Sequence, residues 1–209
     1  MQERIKYPRT PHLPYSETIG SDDKRLLNDL QFKNMFIVIT EKMDGENTTV
    51  YNDGYHARSL DSKHRNYHSW LLSYIPTWQY MLKDGERVCG EYLYAEHSIH
   101  YDNLKSYFLG FSFWDKDVCC GWDSTIAKFE QLGITPVPVL YKGYYDKEIT
   151  IKIAKSVIDR GGEGIVIRNA FSFPMNDFSK NVAKYVRPNH VQTDDHWSQQ
   201  TIRHNNLFN

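Results

Sequence analysis

MFIVITEKMDGENTTVY, residues 35–51, is the stretch whose reading decides the fold. Its apolar opening, 35–41, predicts a buried strand. NTTVY, 47–51, is β-branched and predicts a second strand as its partner. Between them, EKMDGEN sets Lys42 where a buried strand meets a tight Asp-Gly turn. A lysine there can be a covalent nucleophile if its amine loses its proton. Its ordinary pKa of about 10.4 must then fall, through desolvation at the strand end or through a nearby cation. The plainer reading of Lys42-Met43-Asp44-Gly45 is a surface hairpin turn with a solvated lysine, so the motif needs company.

Outward from that stretch the pattern is mixed. Asp53-Gly54 turns the chain toward a strand at 55–59. Upstream, residues 1–20 carry Pro8, Pro11, Pro14 and Gly20 and read as an irregular lead-in. Ser21 to Leu30 reads as a short helix capped by Ser21, with Leu26, Leu27 and Leu30 facing inward. Downstream, Trp70, Tyr74, Trp78 and Leu82 recur at helical spacing over 66–82, a helix that Pro76 must kink or divide. RVCGEYLY, 87–94, and YFLGFSFWD, 107–115, are strands by composition. Asp123 to Leu132 is a helix with an aspartate cap and Gly133 just past its end. Lys147 to Arg160 is a helix stopped by Gly161 and Gly162, and strands follow at 164–168 and 182–186. These elements predict one α+β domain over 21–190, with mostly antiparallel sheets and flanking helices, and a short extension over 191–209.

Composition bounds the function. The chain has 209 residues, 40% hydrophobic and 24% charged, an ordinary globular balance. The formal net charge is −1, so no global basic field grips nucleic acid, although a local basic face is compatible with it. Aromatic residues reach 14%, which suits a β-rich core and leaves room for rings that stack on bases. The three cysteines, Cys89, Cys119 and Cys120, form no C-x-x-C pair, which argues against a disulfide framework or zinc site and for a reducing compartment. With no apolar signal core and no bilayer-length run, the expectation is a cytoplasmic protein with no membrane partner. His97 and His100 have metal-pair spacing, but they follow a strand and no third ligand is evident.

Neither a G-x-x-x-x-G-K-[ST] loop nor a G-x-G-x-x-G turn occurs, so a nucleotide would be held in another way. The company of Lys42 supplies that other way. In order come ARSLDS at 57–62, GEYLY at 90–94, FSFWD at 111–115, EGIVIR at 163–168 and AKYVRP at 183–188. With EKMDGEN these six blocks resemble the covalent nucleotidyltransferase superfamily of DNA ligases, RNA ligases and mRNA capping enzymes, from Glu41 to Pro188. Asn47, where DNA ligases usually carry arginine, and GEYLYAEHSIHYDNL make the chain look most like the ATP-dependent RNA ligases.

That resemblance implies an ATP-grasp-like nucleotidyltransferase domain and a role for each residue. Lys42 would attack the α-phosphorus of ATP to give lysyl-AMP. Arg58 would neutralise phosphate charge and Lys184 would touch the α-phosphate. Glu91 would accept a ribose hydroxyl, and Trp114 would stack on adenine, with Phe113 as the alternative because strand alternation sends the two rings apart. Glu163 would hold the divalent cation, Mg²⁺ or Mn²⁺. Asn47 would contact the nucleic-acid terminus or nearby phosphates, Glu41 would lie against the purine through its backbone, and Met43 would belong to the nucleotide-binding set. The implied reaction joins RNA, or DNA, 3′-hydroxyl and 5′-phosphate ends.

Two departures from the family pattern stand out. Its last block usually has two lysines one residue apart, whereas the neighbours of Lys184 at that spacing are Val182 and Val186; Lys180 or Arg187 would then carry the second charge. Few residues follow Pro188, so a further clamp domain is expected to be lacking or supplied by a separate nucleic-acid-binding or end-processing protein. Competing expectations are a DNA ligase, a capping-type guanylyltransferase, and a non-catalytic nucleic-acid-binding module of the same fold.

Overall fold

The computed structural model describes residues 2–17, 24–60, 66–188 and 203–208. Two antiparallel sheets face each other. The first has the order β11-β9-β1-β8, built from Val182–Val186, Gly164–Asn169, Phe36–Lys42 and Val139–Tyr144. The second has the order β10-β6-β5-β4-β2-β3, built from Phe173–Pro174, Val118–Cys119, Phe108–Asp115, Glu86–Tyr92, Glu46–Tyr51 and Gly54–Ala57. A short strand β7, Thr135–Pro136, pairs with β5 in parallel. Helices α1 (Ser69–Tyr74), α2 (Trp122–Leu132), α3 (Lys147–Asp159) and α4 (Phe178–Asn181) complete the described elements, with short 3₁₀ turns. The α+β class with mostly antiparallel pairing is as the sequence predicts.

One pairing differs from expectation, and it makes the site. β1 and β2 do not pair with each other: β1 lies in the first sheet and β2 in the second. Residues 43–45 therefore carry the chain from one sheet to the other rather than closing a hairpin. Only glycine fits at 45, since a Cβ there would sit 2.5 Å from the Tyr92 carbonyl oxygen. β1 is buried on both faces, which explains its unbroken apolar run. Ile37 and Ile39 pack with Leu13, Ala154 and Val157 outside the first sheet, and Val38 packs with Leu109 and Trp122 between the sheets. The outer face of the second sheet is covered by α1, α2 and the turns between, through Leu71, Ile75, Trp78, Leu82 and Phe129.

Other departures have local causes. The expected helix at 21–30 has residues 21–23 outside the described set; a 3₁₀ turn, Leu30–Phe32, stands at its end, and Leu27 and Leu30 are 99% and 67% exposed. Phe32, not those leucines, enters the core. Over 66–82, Pro76 divides the expected helix rather than kinking it: α1 is flanked by 3₁₀ turns, because proline cannot continue an α-helix. Gly121, not Asp123, caps α2; Gly133 ends it in the left-handed conformation at φ 68°. The α3 cap is Asp146, whose carboxylate accepts the Ile149 N–H. Strand β8 escaped the sequence reading because Pro136, Pro138 and Gly143 punctuate it as a loop. It is an edge strand, so only one side needs ladder partners. No helix among the described residues is long and apolar enough to cross a membrane.

Candidate active site

Lys42 is the last residue of β1 and pairs across the ladder with Gly164, the first residue of β9. That register brings Lys42 beside Glu163. Both carboxylate oxygens of Glu163 lie on Nζ, Oε1 at 2.6 Å and Oε2 at 2.7 Å. The lysine side chain is 15% exposed and the glutamate 1%. The glycines around Glu163 make this placement possible. Gly161 turns at φ 88°, and Gly164 has φ 151° with its Cα so near β11 that a Cβ would lie 2.0 Å from the Tyr185 carbonyl oxygen. The Glu163 carbonyl is in turn held by the Arg187 N–H at 2.9 Å.

Glu91, on β4, faces the same lysine from the second sheet. Its Oε1 accepts the Gly45 N–H at 3.2 Å, and Asn47 stands opposite it on β2. Burial pushes the Glu91 carboxyl up to about 8, against the lowering pull of Lys42. Burial would push Lys42 down, but the carboxylates of Glu163 and then Glu91 outweigh it, and its pKa is raised. The lysine expected to be deprotonated is therefore held as an ammonium by its ion pair in the ligand-free protein. Nucleophilicity at neutral pH requires that this pair be broken or neutralised.

The cavity above Lys42 lies between the sheets. It is lined by Glu41, Lys42, Met43, Asn47, Arg58, Glu91 and Lys184, seven of the residues named from sequence. Lys184 sits on β11 opposite Val166 of β9, which also lines the cavity. Arg58 lines the cavity and has no ion-pair partner among the described residues. Asn47 keeps a buried side-chain oxygen without a hydrogen bond. Glu41 is held by Arg160, Oε2 to Nη2 at 2.6 Å, which ties β1 to the end of α3.

Trp114 is a correction. It is 0% exposed and does not line the cavity. Its ring packs on Phe178 and Phe173, the Arg87 guanidinium lies 4.7 Å from its centroid, and its Nε1–H donates to Ser112 Oγ at 3.0 Å. Phe113, the alternative, packs on the outer face with Phe129. The ring on β5 that lines the cavity is Phe111. Simple alternation would put Phe111 on the same face as Phe113. A bulge breaks that rule: Cys89 pairs with Ser112 and Gly90 with Gly110, so Phe111 is the extra residue and turns inward.

Sequence reasoning also missed the lining contributed by Tyr7, Thr10 and Arg168. Tyr7 comes from the irregular lead-in, where no periodicity signals it, and its ring meets Phe111 edge-on at 5.2 Å. Arg168 was within a quoted block but reads as a strand residue; its guanidinium donates to the Phe111 and Cys120 carbonyls at 3.1 and 2.8 Å. Of the two candidates for the second charge, Lys180 is engaged with Asp177 at 2.6 Å and is 72% exposed. Arg187 instead donates from Nη2 to Ser98 Oγ at 3.1 Å, and that hydroxyl donates to Asp44 at 2.7 Å, beside the Lys42 turn. His100 lies between the carboxylates of Glu96 and Asp102 on the surface.

The family model described as RNA ligase matches residues 35–186. The chain belongs to the RNA ligase family. The fold is similar to that of an archaeal ATP-dependent RNA ligase, at 13% identity and TM-score 0.59, over 87% of this chain and 48% of that one. It is also similar to Naegleria gruberi RNA ligase solved with PPi, at 19% identity and TM-score 0.57, over 88% of this chain and 61% of that one. A mutant of the same Naegleria ligase, solved with ATP and Mn, has 17% identity and TM-score 0.58, with 88% and 62% covered. The chain thus spans about half to three-fifths of these structures. No curated protein sequence matches.

Proposed function

We propose that this protein is an ATP-dependent RNA ligase that works through a lysyl-AMP intermediate on Lys42. The reading is carried by one observation, the buried Lys42–Glu163 pair at the floor of a cavity shared by Asn47, Arg58, Glu91 and Lys184. The Lys42 ammonium first releases a proton to solvent; the amine nitrogen then forms a bond to the α-phosphorus of ATP, the bond from that phosphorus to the bridging oxygen breaks, and pyrophosphate leaves with the electron pair. AMP then passes to an RNA 5′-phosphate, and a 3′-hydroxyl displaces AMP to close the phosphodiester. Lys184 and Arg58 offset phosphate charge in these steps, Arg58 through its fork of donors. Phe111, which lines the cavity, would take the base in the place sequence reasoning gave to Trp114.

Among the described residues no three His, Cys, Asp or Glu side chains form a ready metal cage. That fits Mg²⁺ or Mn²⁺, which are commonly held by one or two carboxylates with water and substrate phosphate oxygens. Glu163 and Glu91 are oxygen donors of that kind beside Lys42, the first buried and the second half-buried. When bound there, the cation would supply positive charge that offsets the phosphate oxygens and the carboxylate charge that raises Lys42. The experiment is incubation with labelled ATP and a divalent metal, followed by peptide mass analysis. A one-AMP adduct on Lys42 that disappears on chelation, and sealing of a nicked or single-stranded RNA, support the proposal. No adduct with ATP, or an adduct from GTP alone, refutes it.

A further inference from the structure

The segment 203–208 is distant in sequence from Lys42, yet it runs along the 93–104 connection that follows β4. Its Asn205 is 1% exposed. The Asn205 Nδ2–H donates to the Leu93 carbonyl at 2.7 Å, and its Oδ1 accepts the Tyr101 N–H at 2.9 Å. One amide side chain thus pins two points of an irregular loop, using both its donor and its acceptor. The main chain repeats the contact, with the Asn206 N–H donating to the Tyr101 carbonyl at 2.8 Å.

Tyr101 then reaches the turn of the nucleophile. Its hydroxyl accepts the Asp44 N–H at 3.0 Å. This amide sits where the chain leaves one sheet for the other, and a side chain serves it in place of a strand. From the same loop, Ser98 donates to Asp44 Oδ2 through its N–H at 2.8 Å and its hydroxyl at 2.7 Å. Asp44 is two residues beyond Lys42, and Gly45 beside it carries the N–H that Glu91 accepts.

We infer that Asn205 is a positioning residue for the Lys42 site: it fixes Tyr101, and through Tyr101 the Asp44–Gly45 turn that aims the lysine. Removing its amide leaves the Leu93 carbonyl and the Tyr101 N–H without this partner and frees the loop. The inference rests on the adenylylation proposed above. A small displacement of a nucleophile is costly to in-line transfer, which is why a residue this far along the chain matters to rate.

The test is single-turnover lysyl-AMP formation by the full chain, at saturating ATP and well below the melting temperature. Wild type, Asn205→Ala, Tyr101→Phe and the double variant are compared, with amide exchange measured at Asp44 and Gly45. Each single variant should slow the step about tenfold to a hundredfold, with the ATP concentration for half-maximal rate little changed. The double variant should be no slower than the slower single, because both act along one line. Exchange at Asp44 should quicken in both singles. Wild-type rates in Asn205→Ala, or single effects that multiply, overturn the inference. Tyr101→Phe deletes one oxygen and keeps the ring, so it decides the question if Asn205→Ala does not fold. If the wild type itself forms no adduct, the proposed function fails, and exchange alone judges the positioning: unchanged Asp44 protection in the variants overturns it, and faster exchange upholds it.

Discussion

Trp114→Ala and Phe111→Ala, three residues apart on one strand, should fail in opposite ways. Trp114 is fully buried among Phe178, Phe173 and the Arg87 guanidinium. Deleting its ring leaves a cavity, removes the Ser112 contact and strands Arg87 over empty space. Large aromatic deletions of this kind cost about 3–5 kcal/mol. For a chain of this size each kcal/mol lowers the melting temperature by about 2–4 °C, so the expected drop is about 6–20 °C. Phe111 lines the cavity instead, and losing a base-stacking ring costs about 1–3 kcal/mol of binding, or roughly 5- to 150-fold in ATP affinity. The assay is thermal unfolding alongside calorimetric ATP titration, both in a Lys42→Ala background so that no adduct forms. A stable Trp114→Ala protein that has lost ATP affinity, beside a Phe111→Ala protein that binds normally, would refute the bulge-based assignment and return the base platform to Trp114.

Lys42→Ala and Lys42→Arg should both abolish the AMP adduct by mass spectrometry, the second because a guanidinium stays protonated. In the ligand-free protein Lys42 is raised by Glu163, so an amine-acylating reagent should modify it only at higher pH than an ordinary lysine; in Glu163→Gln the opposing effect of burial gains ground, and modification should begin at lower pH. An unchanged onset would mean the ion pair does not control the proton. The same Glu163→Gln change should slow adduct formation by about a hundredfold or more in quenched-flow assays, since cation charge at a phosphoryl centre is worth several kcal/mol. Gly45→Ala should slow it by about as much, because a Cβ 2.5 Å from the Tyr92 carbonyl oxygen must shift the turn; a wild-type rate there would show that the turn has slack.

The elements legible in the sequence were those with strong local signals. β1 and β11 followed from apolar and β-branched runs, and α2 and α3 from periodicity bounded by glycines. β8 was hidden because the prolines around it are tolerated at a sheet edge, a fact about neighbours and not about the segment. Leu27 and Leu30 misled because helical spacing alone does not say whether a facing surface exists. Trp114 misled because a bulge is a property of two strands in register, and FSFWD read alone carries no trace of the residue it is paired against.

By itself the sequence determined that Lys42 stands at the end of a buried strand before an Asp-Gly turn, and that five further blocks follow in the order of the nucleotidyltransferases. Those are local or serial properties, and a chain displays them without folding. Only the tertiary structure decided that the turn bridges two sheets, that the β1–β9 register sets Glu163 against Lys42, and that Phe111 rather than Trp114 enters the cavity. It alone joined Asn205 and Tyr101 to the Lys42 turn. The reason is physical: the charge state of Lys42 and the aim of its amine depend on carboxylates and hydrogen bonds brought from residues far along the chain, Glu163 being 121 positions away, and long-range burial, not local propensity, sets them.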